Sequence, residues 1–293
     1  MQCKLLLEKN RNFSPTYSKN LSNHLSMALI ALERMGANLS RLNGYFEASV
    51  IKYRLNIFSI STNKIELSNW QNYLGDRKEF FTYCSFFNKE LGRIGVNNLL
   101  KIYIPMLMPG VGAQAFHCII RLAYAIDAKD NQEIVFSLAY WASTYWPIQI
   151  KSDNHSISVS IEDYLSHLSK LRDLEVVVPQ GNIEDRMKSL CQQASFLEVL
   201  SNFRLLEEVN LSNISELSIR LYLVTKNFTI LHAVTSCHAM RLILPFLENS
   251  NQAFIYYWNA LCVAYLIEKA PTLSLPKKLE MLLIWDEIKK RRL

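Results

Sequence analysis

Glycine and proline set the first limit on what this chain can fold into: there are eight of each in 293 residues. Both residues interrupt helices and mark turns, and β-rich folds spend them freely. So few breakers favour long, uninterrupted helices. The apolar spacing agrees. From His24 to Met35 apolar residues recur at helical intervals and stop at Gly36, a natural residue just past a helix end. Comparable patterns predict helices over residues 40–53, 76–92, 113–128, 132–145, 161–171, 183–203, 214–247, 252–269 and 275–292. Asn227 is expected to break the 214–247 run. Residues 1–20, with Pro15 among them, read as an irregular N-terminal segment. Residues 54–68 read as an extended connector in preference to a short strand at 57–61. The polar, β-branched stretch 148–160 reads as a surface loop and is the one place where a domain boundary would fall. The expected fold class is therefore all-α: a single large helical domain over residues 20–293, with roughly ten helices in an irregular array around a buried histidine-rich site.

Composition narrows the setting. Half the residues are apolar and a fifth are charged, which is globular and not disordered. None of the six cysteines forms a CxxC pair, and most sit in apolar stretches, so they read as small core residues in a reducing compartment. The N-terminus acquires charge too quickly for a signal peptide, and apolar stretches end after about ten residues, short of the roughly 20 a membrane span needs. A cytoplasmic location is expected, without a membrane span or a nucleic-acid partner. The net charge is +6. Part of it lies in the tail Lys289-Lys290-Arg291-Arg292, which reads as a solvated helix end carrying cations near its negative dipole terminus.

The chemistry rests on histidine. His155 and His167 stand in polar surroundings and read as surface residues. His24 opens its helix and shares a small-residue stripe with Ala28 and Ala31; alone it is as readily a polar residue at a helix start. His117, Arg121 and Tyr124 are spaced to share one helical face, a polar stripe in an otherwise apolar helix, either lining a site or meeting solvent. His232 and His238 lie among small residues in a second apolar helix. Six residues rotate a side chain by about 240° and advance it about 9 Å. Both rings reach one metal only if that helix bends or unwinds; otherwise one binds and the other supports. The segment Gly110-Val-Gly-Ala-Gln-Ala115 fits a GxGxxA pattern, but a dinucleotide site needs a strand before it, and Pro105 and Pro109 interrupt that position. It reads as a turn that lets the His117 helix pack closely, and no NAD or flavin site is assigned. GxSxG, P-loop and aromatic RNA-binding patterns are absent. Cys118 and His117, adjacent on a helix, point about 100° apart and make no catalytic pair.

Four stretches carry a resemblance: Asn23-His24-Leu-Ser-Met-Ala-Leu-Ile-Ala-Leu; Trp70 with Leu74-Gly75; residues 109–125, Pro-Gly-Val-Gly-Ala-Gln-Ala-Phe-His117-Cys-Ile-Ile-Arg121-Leu-Ala-Tyr124-Ala; and residues 227–241, from Asn227 through His232, Thr235 and His238 to Arg241, followed by Tyr257-Trp258-Asn-Ala. On these the chain resembles the questin oxidase-like proteins. The resemblance implies oxidation of polycyclic aromatic polyketides with dioxygen, such as ring opening of anthraquinones, by a non-haem iron (Fe2+) held by four histidines and a carboxylated lysine. It carries the histidines onto His24, His117, His232 and His238, and the lysine onto Lys226. Around such a site Arg121 and Arg241 would orient an anionic oxygen of the substrate, Tyr124 and Thr235 would support the ligands, and Trp258 would offer flat apolar surface; the arginines read in preference as helix-surface ion pairs and the aromatics as core. The same histidines would equally serve a metal-dependent hydrolase, or merely satisfy polar groups in a helical binding protein.

Overall fold

A computed structural model describes residues 2–53, 63–148, 156–173, 180–205 and 210–271. Two expected elements, the connector or strand near 57–61 and the helix over 275–292 with its basic tail, lie wholly or largely outside these residues, as does His155.

The described residues form twelve α-helices and two minimal sheets. The N-terminal segment is not irregular. Lys4–Asn10 forms α1, and Cys3, Leu6 and Leu7 pack on Leu25, Leu29, Ile30 and Leu42 in a small separate core. A helix this short has no stability alone; the helices carrying its contacts, α2 (Leu25–Arg34) and α3 (Leu39–Tyr53), hold it. A hairpin of β1 (Thr16–Tyr17) and β2 (Leu21–Ser22) then delivers the chain to His24. Asn23 anchors that point: it donates to Asn10 Oδ1 and the Ser14 carbonyl and accepts from Leu25 N. Gly36 ends α2 with φ +89°, as its position predicts.

The main core is built on α4 (Phe80–Leu107), α5 (His117–Ala128) and α6 (Asn131–Thr144). The α4 run breaks at Gly95, where φ is +73°, three residues beyond the stop expected at Gly92. Packing passes from α4 to α6, to α5, to α11 (Phe228–Ile243) and to α10 (Leu211–Thr225). The last two are separated as expected: Lys226 is a left-handed cap and Asn227 caps α11, accepting from Thr229 N and Ile230 N. The single run expected over 183–203 is two helices, α8 (Ile183–Leu190) and α9 (Ala194–Asn202). Between the chain halves lie β3 (Ile157–Val159), parallel to β4 (Phe203–Leu205), and α7 (Ile161–Ser169). The apolar core is continuous across the 148–160 stretch, joining Leu107 and Trp141 to Leu165, Leu190 and Leu261. It is closed by α12 (Ser250–Ile267), buried along nearly all of its second half. Such a helix, apolar on every side, belongs inside a domain. No described helix is long and apolar enough to cross a membrane. All six cysteines are free, and burial raises the thiols of Cys118 and Cys191 to about 12, as expected of inert core sulfur.

Candidate functional site

Helices α2, α5 and α11 enclose a cleft of about 440 Å³ whose lining includes His24, His117, His232 and His238. Its other walls are mostly apolar, among them Met27, Ile120 and Leu231.

His117 owes its orientation to a backbone detour. The helix expected from Ala113 begins only at His117, because Gln114, Ala115 and Phe116 are all left-handed, with φ of 53°, 51° and 67°. Such residues cost about 1–3 kcal/mol each and persist only where their surroundings hold them. The detour turns the Gln114 carbonyl back onto the ring, 2.5 Å from Nδ1. A carbonyl only accepts, so Nδ1 carries the proton and Nε2 presents its lone pair to the cleft. His232 repeats the device within α11, with Nδ1 2.8 Å from the Phe228 carbonyl. His24 follows Ser22 by two residues and turns its Nε2 toward His117.

The three rings meet. His24 Nε2 is 2.7 Å from His117 Nε2, and the two rings are edge to face with centroids 4.6 Å apart. The His232 ring centroid is 4.7 Å from that of His117. All three are held neutral, below the usual histidine range. Burial is the first cause in each; His232 and His24 add to it at His117, and Arg121 adds to it at His24. His117 and His232 are buried, whereas His24 is open to the cleft, whose walls still strip much of its water. His238 lines the same cleft from its mouth. Helix α11 runs unbroken between the two histidines, so His238 stands about 9 Å along the axis from His232. It is exposed, 3.5 Å from Arg241 Nη2. Among the described residues, no three His, Cys, Asp or Glu side chains converge tightly enough to hold a metal as they stand. The facing pair His24–His117 is the closed part of the site.

Several expected site residues lie elsewhere. Arg121 does not face the cleft: it is 1% exposed, its Nη2 3.2 Å from Glu133 Oε2 on α6, its guanidinium over the Phe136 ring. Four residues turn a helix 40° one way from His117 and seven turn it 20° the other, so Arg121 and Tyr124 diverge by about 60°. Tyr124 lines the cleft and Arg121 is spent on a structural ion pair. Trp258 packs edge to face on Tyr164, away from the histidines. Lys226 is exposed at the α10 cap with its Nζ over Tyr222, outside the cleft lining. Arg241 is exposed beside His238, and Thr235 lines the cleft while its hydroxyl bonds back to the Leu231 carbonyl. His167, expected at the surface, is half-buried and stacked on Phe203 at 4.0 Å.

Other cleft residues carry no mark in the sequence. Asp127 is the one carboxylate in the lining, paired with Arg34 at 2.9 Å. Phe228 lies 64% exposed with its ring edge to face on His232. Asp127 is turned a further 60° from Tyr124 on α5 and Phe228 stands beside a helix cap, so spacing from His117 points to neither.

Compared with known families, residues 21–291 match the family described as questin oxidase-like. No curated protein matches the chain.

Proposed function

Since the chain belongs to the questin oxidase-like family over nearly its whole length, we propose that it is an oxidoreductase that uses a non-haem metal, iron in the first place, to oxidise a polycyclic aromatic, polyketide-like substrate with dioxygen. One observation carries the metal reading: two neutral imidazoles bring their Nε2 atoms within 2.7 Å of each other, and His117, with Nδ1 bonded to the Gln114 carbonyl, presents a bare lone pair there. A proton on His24 Nε2 or a cation lying against both nitrogens satisfies that lone pair. Imidazole–metal bonds of about 2.0–2.1 Å put neighbouring octahedral ligand nitrogens about 2.9 Å apart, close to the separation seen. Neutral imidazole is also the donor type that iron, zinc, copper and nickel accept.

His24 and His117 would hold the ion, with His232 closing on it and His238 at the mouth. Bound iron would supply the activation of dioxygen. The chain's own residues do the rest. The carbonyls of Gln114 and Phe228 fix the imidazole tautomers, which raises ligand basicity. The apolar walls exclude water and receive a flat ring, and the cleft volume lies within the roughly 300–1,000 Å³ of small-molecule sites. Phe228 and Tyr124 would supply aromatic surface, and Arg241, 3.5 Å from the His238 ring, would meet a phenolate or quinone oxygen.

Oxygen uptake by purified protein with hydroxyanthraquinones, with and without added iron(II), tests the reading. Iron-dependent uptake that disappears in His117→Ala is expected. Turnover that is indifferent to iron, or to loss of His117, would overturn it.

A further inference from the structure

Behind the facing histidines runs a buried hydrogen-bond chain. Gln114 donates its backbone N to Glu184 Oε1 at 3.1 Å and its side-chain Nε2 to Glu184 Oε2 at 2.5 Å. A carboxylate cannot donate, so the amide has one orientation, with Oε1 turned away. That oxygen accepts from Tyr140 Oη at 2.9 Å, and Tyr140 Oη lies 2.7 Å from Ser22 Oγ. Every proton then runs one way: Ser22 to Tyr140, Tyr140 to Gln114, Gln114 to Glu184. All four residues are buried. Glu184 is held in turn by Arg77 at 2.6 Å and Lys188 at 3.3 Å.

The two ends of this chain matter. The Gln114 backbone supplies the carbonyl that His117 bonds, and Ser22 stands two residues before His24. The left-handed run at residues 114–116 contains no glycine and has no local reason to persist. The bidentate grip of Glu184, 70 residues away in the chain, is what pins its first residue. We infer that Glu184, Gln114, Tyr140 and Ser22 are positioning residues that lock His24 and His117 together, each with its Nε2 facing the other. The effect on metal affinity rests on the metal-binding reading above; the effect on the rings does not.

Two variants and two readouts test this. Tyr140→Phe keeps the ring and removes the hydroxyl that bridges Ser22 and Gln114, leaving only the direct 3.5 Å contact of Ser22 Oγ with Gln114 Oε1. Glu184→Gln places an amide donor against the donors of Gln114. Nitrogen-15 spectra of the metal-free full-length chain report each histidine tautomer, and titration with cobalt(II) alone reports affinity. In the wild type His117 is expected as a single Nδ1–H tautomer, its bare Nε2 facing His24. Each variant should give mixed tautomers at His117 and a cobalt(II) affinity lower by about 10–100-fold, the usual effect of losing a group that supports a metal ligand. If Glu184→Gln fails to fold, Tyr140→Phe decides. Folded variants with wild-type tautomers and affinity within twofold of wild type would overturn the inference, as would mixed tautomers of His117 in the wild type. Should the wild type bind no cobalt(II) while the tautomers still shift in the variants, the metal reading fails and the positioning role stands.

Discussion

Replacing Arg121 separates a structural role from a substrate-binding one. Its guanidinium and the Glu133 carboxylate are each 1% exposed and 3.2 Å apart. Arg121→Leu leaves that carboxylate buried, and removing one partner of a buried pair costs about 3–5 kcal/mol. Arg11 remains 3.1 Å from Glu133 Oε1, so the lower end, about 3 kcal/mol, applies. Unfolding entropy of about 2.1 cal/mol/K per residue gives roughly 0.6 kcal/mol/K for 293 residues. The expected fall in Tm is therefore about 5 °C, read by calorimetry. Because an apolar pair does not strand a charge, Arg121→Leu/Glu133→Leu should melt higher than Arg121→Leu alone. An unchanged Tm in Arg121→Leu, or a double variant less stable than the single one, would refute this reasoning. A raised KM with unchanged Tm would return Arg121 to the substrate.

Three further outcomes are expected. Burial holds His24, His117 and His232 below the usual histidine range. The unfolded chain thus binds more protons near pH 6, and the stability these rings contribute is complete above about 6.5 and lost as pH falls; Tm of the metal-free protein measured from pH 7.5 down to 5.5 should decline, and a rise would contradict the assignment. Gly110→Ala would push a Cβ to 2.5 Å from the Tyr145 ring and should cost about 1–3 kcal/mol, whereas Gly92→Ala meets nothing within 4 Å on a helix and should gain about 0.5–1 kcal/mol in urea unfolding. Lys226→Gly should keep the metal content of the wild type and raise Tm slightly, because the position is an exposed left-handed cap with φ of 49°; loss of metal would restore the lysine to the site.

Much of the fold is legible locally because its stops are chemical. Gly36 and Asn227 end and begin helices through a positive φ and a side-chain cap, and both signals lie in the residues themselves. The missed elements are those that tertiary contacts decide. Helix α1 exists because Leu6 and Leu7 find Leu25 and Leu29. The helix expected from Ala113 starts late because Glu184 holds Gln114 in a conformation no local pattern announces. The candidate site divides the same way. Residue type and family resemblance pick out His24, His117, His232 and His238, and all four line one cleft. Helical spacing places Tyr124 there as well. It misplaces Arg121, since a 60° divergence on one helix suffices to find a different neighbour, and it says nothing of Asp127 or Phe228. Lys226 and Trp258 come from resemblance alone, and here one is an exposed cap and the other a core residue.

Iron(II) binding by the metal-free protein at pH 7.5 bears most directly on the histidine centre. One equivalent per chain, with binding abolished in both His24→Ala and His117→Ala, is the expected result. No uptake of iron(II), manganese, zinc or copper, or uptake that survives both substitutions, would contradict it.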